Sequence, residues 1–194
     1  MSGLWVFVCG PSGAGKDSVM RWAAERLHGC EEVVFARRMI TRATHQGSDH
    51  DPVSAEQFAH LAVTDGLAWQ WHAHGFGYGI HADYAAAVAA GRVVVVNGSR
   101  EHVHAISVSQ RVRVVHIEAD AQHLAQRLAQ RSRESPQEMA HRLARNAQIP
   151  KLHAHCTILN QGELADAGLQ LVDYLRAALL LPVVSVDRAN ALTL

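Results

Sequence analysis

One short stretch near the start of the chain limits its possible folds more than any other. It reads Gly10-Pro11-Ser12-Gly13-Ala14-Gly15-Lys16-Asp17-Ser18. An apolar run over residues 4–9 precedes it, and apolar residues at helical spacing follow it. A strand, a glycine-rich turn and a helix in this order are the setting of a phosphate-binding loop, because backbone N–H groups and the helix dipole converge on one anion. A plain strand-to-helix turn would need neither three glycines nor a lysine.

The loop predicts a site for a nucleoside triphosphate, with Lys16 reaching the outer phosphates. It departs from the usual pattern at one position, since a serine or threonine normally follows the lysine and its hydroxyl binds Mg²⁺. Here Asp17 follows the lysine, and the hydroxyl comes one residue later at Ser18. A carboxylate oxygen is an ordinary ligand for this hard cation. We therefore expect Asp17 or Ser18 to hold Mg²⁺, directly or through water.

The rest of the chain alternates strand-like and helix-like segments, which predicts an α/β fold with a parallel sheet and helices on both faces. The expected core strands cover residues 4–9, 32–36, 92–97, 112–117 and 156–159, and the expected helices cover 16–28, 54–62, 83–90, 99–106 and 164–181. A further strand is expected over 67–73, and an edge strand is one interpretation of 183–186. The glycine-rich segment 75–79 is compatible with a hairpin connection or with close approach of the backbone to a ligand, and the sequence favours neither.

Two groups of arginines stand out beside the loop. Arg37, Arg38 and Arg42 follow the second expected strand, where the carboxyl edge of an α/β sheet binds ligands, so they predict an anion site rather than a solvated basic turn. The second group lies on two helices separated by a short polar break over residues 132–135. Such a pair is typical of a lid, although an exposed helical hairpin with ordinary salt bridges is the alternative. The arginines of this second group are Arg127, Arg131 and Arg142.

Composition limits the class of protein further. The 194 residues suit one domain, and 18 basic residues balance 18 acidic ones, which argues against a general nucleic-acid binder. We expect no membrane partner, because no apolar run is long enough to span a bilayer. Three scattered cysteines are typical of a reducing compartment, so a cytoplasmic location is expected. The 14 histidines lack the spacing of a transition-metal site.

Over most of its length the chain resembles the guanylate-kinase-like group of phosphate-loop kinases. The resemblance rests on the loop, the Thr41-Arg42 pair, the Tyr78-Gly79 pair, the lid arginines and Asn160. It implies a single domain over residues 1–194, built like a nucleoside monophosphate kinase on a five-stranded parallel core sheet. An acceptor-binding insertion would cover about residues 37–80, and a helical lid would cover about residues 127–148.

The departures from guanylate kinase bear on the acceptor. His72 stands where that group has a guanine-reading glutamate, and Ile80 replaces a serine or threonine. Guanine needs a carboxylate to accept from its N–H groups, whereas arginine and histidine suit a smaller and more anionic acceptor. Within the group, the chain is most similar to kinases that phosphorylate ribose 1,5-bisphosphate in phosphonate breakdown. Segment 96–100, which reads Val-Asn-Gly-Ser-Arg, contributes to this narrower resemblance.

The resemblance implies ATP as phosphoryl donor, Mg²⁺ as metal and a sugar phosphate as acceptor, with 5-phosphoribosyl diphosphate and ADP as products. Residues 10–18 would bind ATP, and Lys16 would act in catalysis together with Arg127, Arg131 and Arg142. The acceptor would be held by Arg38, Arg42, His72 and Tyr78. Two alternatives stay open, a nucleoside monophosphate kinase with altered base recognition and a non-catalytic binding module. A homodimer is an open alternative to a monomer.

Overall fold

The computed structural model describes residues 3–44, 49–106, 111–120, 122–124 and 153–180. The expected lid at 127–148 and the edge strand at 183–186 lie outside the described residues. The strands are β1 (Leu4–Cys9), β2 (Val33–Phe35), β3 (Arg38–Ile40), β4 (Asp51–Pro52), β5 (Leu67–Ala73), β6 (Phe76–His81), β7 (Val93–Asn97), β8 (Val112–Glu118) and β9 (Cys156–Leu159). The helices are α1 (Lys16–Arg26), α2 (Ala55–Val63), α3 (Asp83–Ala89), α4 (Arg100–Ala105) and α5 (Leu164–Ala178).

A five-stranded parallel sheet in the order β2-β7-β1-β8-β9 forms the centre of the molecule, as predicted. Strand β1 lies in the middle and is apolar throughout, because side chains on both of its faces are buried. One face packs on α1 and α5 through residues such as Val6, Leu171 and Leu175. The carboxyl end of β1 therefore delivers the phosphate loop to the centre of one sheet edge.

The other face of the core sheet supports a second, smaller sheet together with α3 and α4. This sheet has the order β4-β3-β6-β5, with β3 antiparallel to β6 and β6 antiparallel to β5. Its apolar side packs on Phe7 and Val96 of the core through Trp71 and Ile80. The region expected to bind the acceptor is thus a built layer over the core, rather than a set of loops.

The segment that carries Arg38 is a strand, whereas the sequence predicted an anion site there and no secondary-structure element. Three residues are too few to show the alternation by which a strand is recognised in a sequence. The strand is fixed by its neighbour, since Thr41 N–H donates to the carbonyl of Gly77 at 3.0 Å and Gly77 N–H donates to Thr41 Oγ1 at 2.8 Å. The short strand thereby sets where the arginines on either side of Ile40 point.

The glycine-rich segment is a β-hairpin, which decides between the two interpretations of its sequence. His74 and Gly75 form the turn, with φ values of 53° and 77°. Gly77 lies within β6, where an added Cβ would come 2.9 Å from Cε1 of Phe58 on α2. That helix begins as predicted with a capping box, in which Ser54 and Gln57 exchange hydrogen bonds of 3.0 and 2.9 Å. Gly77 thus makes room for a core ring and not for a ligand.

Candidate active site

The phosphate loop between β1 and α1 depends on glycine at defined points. A Cβ at Gly10 would lie 2.4 Å from the carbonyl oxygen of Ile117, so a larger residue would push β1 away from β8. Gly13 and Gly15 have φ values of 92° and 78°, which side chains other than glycine rarely adopt. The chain therefore turns tightly enough to enter α1 at Lys16, with the N-terminal end of the helix directed at the loop.

The loop is also held from beneath by the last strand of the core sheet. Asn160, which directly follows β9, donates from Nδ2 to the carbonyl oxygen of Ala14 at 2.7 Å. Ala14 is completely buried and Asn160 is almost so. A hydrogen bond between two buried groups fixes this side of the loop firmly, since neither group has water as an alternative.

Lys16, Asp17 and Asn97 form a small polar cluster at the mouth of the loop. Asp17 Oδ1 accepts from Lys16 Nζ at 3.1 Å and from Asn97 Nδ2 at 2.5 Å. Burial alone would raise the pKa of this carboxyl, but Lys16, Asn97 and the more distant Arg38 outweigh it and lower the pKa to about 2. Asp17 is therefore ionised throughout the neutral range, as a ligand for a cation must be.

A cavity of about 470 Å³ opens between the phosphate loop and the small sheet. Its lining comes from three sources, namely the loop, the small sheet and the turn that joins β7 to α4. Four cationic side chains face two carboxylates among its described residues: Lys16, Arg38, Arg42 and Arg100 against Asp17 and Glu101. This excess of positive charge suits a cavity that holds phosphates.

Arg38 and Arg42 lie on the small-sheet wall of the cavity, at either end of the short strand β3. The pKa of Arg38 is lowered by burial, which the charge of Asp17 partly offsets. Arg42 has its guanidinium carbon 5.6 Å from the centre of the Phe76 ring, and within the described part of the chain its buried Nε has no hydrogen-bond partner. A phosphate oxygen would satisfy that donor.

Arg37 does not join this anion site, although the sequence placed it with Arg38 and Arg42. Its Nε donates to Asp51 at 2.5 Å, and its Nη1 lies 3.3 Å from Asp49. Adjacent residues in a strand point to opposite faces, so Arg37 and Arg38 separate at the start of β3. Arg37 therefore holds the acidic loop before α2 and is absent from the cavity lining.

An aromatic stack backs the acceptor side of the cavity. Tyr78 lies parallel to Trp71, with ring centres 5.5 Å apart and planes 9° apart, and Trp71 stacks in turn on His102 at 4.6 Å. Burial lowers the pKa of His102 to about 4, so the ring is neutral at physiological pH. Tyr78, predicted to bind the acceptor, thus lines the cavity from a rigid support.

Two other predicted site residues lie outside the cavity lining. His72 is on the opposite face of β5 from Trp71, and its ring packs against Phe58 at 5.9 Å. The reason is the two-residue alternation of a strand, which sends neighbours to opposite faces. Ser18 is exposed on the first turn of α1 and is also absent from the lining. The lid arginines Arg127, Arg131 and Arg142 fall outside the described residues.

Arg100 lines the cavity, and Asn97 lies beside it through its hydrogen bond to the lining residue Asp17, although neither was singled out in the sequence as a binding residue. Asn97 ends β7, and Arg100 opens α4 three residues later. Burial lowers the pKa of Arg100, while Cys9 and Glu101 act in the opposite direction. The available signal was positional, since polar residues directly after a buried parallel strand lie at the sheet edge where ligands bind.

The residues present fit Mg²⁺ better than a transition metal. No group of three His, Cys, Asp or Glu side chains is placed to hold a metal among the residues that the structure describes. Mg²⁺ needs less from the protein, because it keeps several waters and uses one or two carboxylates together with substrate phosphates. Asp17, beside the loop and joined to Asn97, supplies a carboxylate of that kind. The described chain also contains no helix long and apolar enough to cross a membrane.

Comparison with known proteins identifies the family of the chain. The family model described as "AAA domain" matches residues 6–148. Ribose 1,5-bisphosphate phosphokinase PhnN of Pseudofrankia inefficax is 43% identical over 171 residues, covering 88% of this chain and 89% of the relative. The Burkholderia mallei protein of the same name is 42% identical, covering 86% and 92%. That of Methylobacterium radiotolerans is 40% identical, covering 91% and 99%.

A solved structure supports the fold. Guanylate kinase from Anaplasma phagocytophilum superposes with a TM-score of 0.69, covering 96% of this chain and 92% of its own, at 17% sequence identity. The guanylate-kinase-like fold that the resemblance implied is thereby confirmed. Since identity of about 40% with the curated relatives extends over most of both chains, the protein belongs to the ribose 1,5-bisphosphate phosphokinase family.

Proposed function

We propose that the protein transfers the γ-phosphoryl group of ATP to the 1-phosphate of ribose 1,5-bisphosphate, which gives 5-phospho-α-D-ribose 1-diphosphate and ADP. Two phosphate-binding walls face each other across one cavity, and this arrangement carries the proposal. The phosphate loop with Lys16 forms one wall, and Arg38 and Arg42 lie on the small-sheet wall. Arg100 is added by the turn that joins β7 to α4. The names of the relatives support the choice of acceptor.

The donor binds along residues 10–18 in this proposal. Backbone N–H groups of Gly13 and Gly15 would bind the phosphates, whereas the N–H of Ala14 donates to the carbonyl of Pro11 at 3.2 Å. The N-terminus of α1 adds its positive dipole end. The side chain of Lys16 is only 17% exposed and is paired with Asp17. When ATP binds, Lys16 gives up this ion pair and contacts the outer phosphates instead. Exchange of one anionic partner for another requires only rotation of a flexible side chain.

The acceptor binds on the small-sheet side. Arg38 and Arg42 are arranged to hold the phosphate that reacts, and Arg100 the second phosphate, because a bisphosphate needs two separated cationic contacts. Tyr78 and Trp71 form a flat wall against which the ribose packs. The histidine expected to take part, His72, has no place in this account, because its ring packs on Phe58.

Little acid–base chemistry is asked of the protein. An oxygen of the 1-phosphate is already ionised at neutral pH, so it attacks the γ-phosphorus without a general base, and the bond from that phosphorus to the β-bridging oxygen breaks. The electron pair stays with ADP, and both products remain anions. Catalysis then consists of alignment and charge neutralisation, which the cavity arginines and Lys16 supply.

Asp17 is the proposed protein ligand of Mg²⁺, since the described part of the chain places its carboxylate beside the loop and leaves Ser18 out of the cavity. When bound, the cation neutralises charge on the β- and γ-phosphates. Arg127, Arg131 and Arg142 are proposed to close over the transferred group and to limit hydrolysis of ATP by excluding water.

The proposal treats residues 1–194 as a single domain whose acceptor-binding part corresponds to the small sheet, β3 to β6. The expected partner is therefore a small sugar phosphate, and a homodimer stays as open as a monomer. Cys9, Cys30 and Cys156 are free thiols, which together with the use of ATP supports a cytoplasmic location.

One observation favours a second candidate function. The Tyr78 ring, which lines the cavity, offers a surface on which a nucleobase would stack, as in a guanylate-type nucleoside monophosphate kinase. Against it, the position expected to read guanine holds His72, and that side chain points away from the cavity. A base in this cavity would therefore lack the carboxylate that identifies guanine.

Release of ADP by the purified protein decides between the two acceptors. Ribose 1,5-bisphosphate should support turnover and GMP should not, with the Lys16→Ala variant as the control for contaminating kinases. Turnover with GMP alone would establish the second candidate. Binding of ATP without turnover of either acceptor would contradict both and favour a binding module.

A further inference from the structure

The end of strand β7 lies directly beside the phosphate loop. Strands β7 and β1 are parallel neighbours, and Asn97 is level with Val8, two residues before the loop begins at Gly10. The approach is close, since a Cβ added to Gly98 would come 2.9 Å from the sulfur of Cys9. Asn97 is therefore positioned to contact the first turn of α1, and its Nδ2 donates to Asp17 Oδ1 at 2.5 Å across 80 residues of sequence.

This hydrogen bond determines how both side chains are oriented. An ionised carboxylate only accepts hydrogen bonds, so the amide nitrogen of Asn97 must face Asp17 and its oxygen must point elsewhere. That oxygen is buried and has no hydrogen-bond partner among the described residues. Both hydrogen bonds that Asp17 receives from described side chains fall on its Oδ1, which leaves Oδ2 for another ligand. Two oxygen acceptors are thus held together beside the loop, and no side chain among the described residues donates a hydrogen bond to either.

In the pair formed by Asp17 and Asn97, the carboxylate and the neutral oxygen occupy each other's usual positions. In phosphate-loop enzymes a hydroxyl on the loop and an aspartate from a separate strand motif hold Mg²⁺ together. Here the carboxylate is on the loop, at Asp17, and the neutral oxygen is on the adjacent strand, at Asn97. The number of negative charges is the same in the two arrangements, although the positions have been exchanged.

We propose that Asn97 is the positioning residue of this exchanged pair. Its Nδ2 fixes the carboxylate of Asp17 so that Oδ2 would be presented to Mg²⁺ that arrives with the nucleotide. The inference rests on the ATP site of the proposed function and is independent of the identity of the acceptor.

The proposal explains why each residue requires the other. An aspartate at position 97 would bring a second carboxylate against Oδ1 of Asp17, where two negative oxygens repel each other. A serine at position 17 facing Asn97 would leave the pair without a carboxylate. Only a double exchange, Asp17→Ser with Asn97→Asp, restores one carboxylate and one neutral oxygen.

The test is a cycle of four proteins, namely the wild type, Asp17→Ser, Asn97→Asp and the double variant. The readout is the affinity for Mn²⁺–ADP, from the electron paramagnetic resonance signal of free Mn²⁺. Affinity for ADP in excess chelator and the thermal midpoint of each protein are the controls for the nucleotide site and the fold. Asn97→Ala is added because it removes the amide without adding charge.

We expect each single variant to lose about 10-fold to 100-fold in affinity for Mn²⁺–ADP, as for other residues that orient a metal ligand. The double variant should bind more tightly than either single variant, while affinity for ADP without metal stays close to that of the wild type in all of them. Wild-type affinity for Mn²⁺–ADP in Asn97→Ala, or a double variant that binds no more tightly than the better of the two single variants, would overturn the inference. Failure of the wild type to bind ADP at all would overturn the ATP site itself, and the inference with it.

Discussion

The side chain of Asn160 reaches across the carboxyl edge of the core sheet and donates a 2.7 Å hydrogen bond to the main-chain carbonyl of Ala14. The two residues are 146 positions apart in the chain, and both are buried. The last core strand thus holds the phosphate loop in shape from below, while the nucleotide would approach from above.

Asn160→Ala should therefore destabilise the protein and weaken its nucleotide site together. Loss of a hydrogen bond between buried groups lowers the free energy of unfolding by about 1–3 kcal/mol. Chemical unfolding and ADP affinity measure the two effects. Gln161→Ala, a change at the exposed neighbouring residue, is the matched control and should alter neither. Equal stability of the two variants would show that the Asn160 contact contributes little.

Lys16→Ala should abolish phosphoryl transfer and leave the fold intact. The Lys16–Asp17 ion pair lies at the cavity mouth, where Asp17 is 54% exposed, so its loss costs little stability. A group that neutralises developing charge is worth about 10²-fold or more in kcat. Circular dichroism checks the fold, and Arg21→Ala on the exposed side of α1 is the control. Retained turnover would contradict the assignment of the loop.

Arg42→Ala should raise KM for ribose 1,5-bisphosphate and leave KM for ATP unchanged. A hydrogen bond to a charged group contributes about 1.5–3 kcal/mol, which corresponds to roughly 10-fold to 100-fold in binding. Arg37→Ala is a matched control, because Arg37 is bound to Asp51 outside the cavity. If only KM for ATP changed in Arg42→Ala, the acceptor would lie elsewhere.

His102 makes stability depend on pH in a predictable direction. Its pKa in the folded protein is about 4, below the ordinary value, because burial disfavours the charged ring. As pH falls from about 6.5 to 4, the unfolded chain takes up a proton that the folded protein does not, so stability present above that range is lost within it. One such proton changes the free energy of unfolding by at most about 1.4 kcal/mol per pH unit.

The His102→Phe variant isolates this contribution and keeps a ring against Trp71. Chemical unfolding of both proteins across this pH range should show a shallower loss of stability in the variant. Burial also lowers the pKa of His116 and of His155, but both residues are present in both proteins and their effects cancel in the difference. Parallel pH profiles would show that His102 titrates normally.

The sequence predicts well those parts of the fold that depend on local pattern. The run before the loop is apolar because β1 is buried on both faces, and Ser54 with Gln57 predicts the start of α2 because a capping box is local chemistry. Strand β3 escapes prediction because its three residues are stabilised by pairing with β6, which is remote in the sequence.

The site is less predictable, because it is assembled from contacts that periodicity does not show. Arg37 and Arg38 are adjacent in sequence, yet one binds Asp51 and the other lines the cavity. His72 and Trp71 are also adjacent, yet His72 packs on Phe58 and Trp71 lines the cavity. Asn97 becomes recognisable as a site residue only when β7 is placed beside β1, since its partner Asp17 lies 80 residues away.

The central claim, transfer of the γ-phosphoryl group of ATP to the 1-phosphate of ribose 1,5-bisphosphate, is tested most directly by phosphorus nuclear magnetic resonance of the product. The account predicts two coupled resonances of a new sugar diphosphate, an unchanged 5-phosphate monoester and one ADP for each diphosphate formed. Inorganic phosphate and ADP without a new diphosphate, or phosphorylation of GMP in place of the sugar, would contradict it.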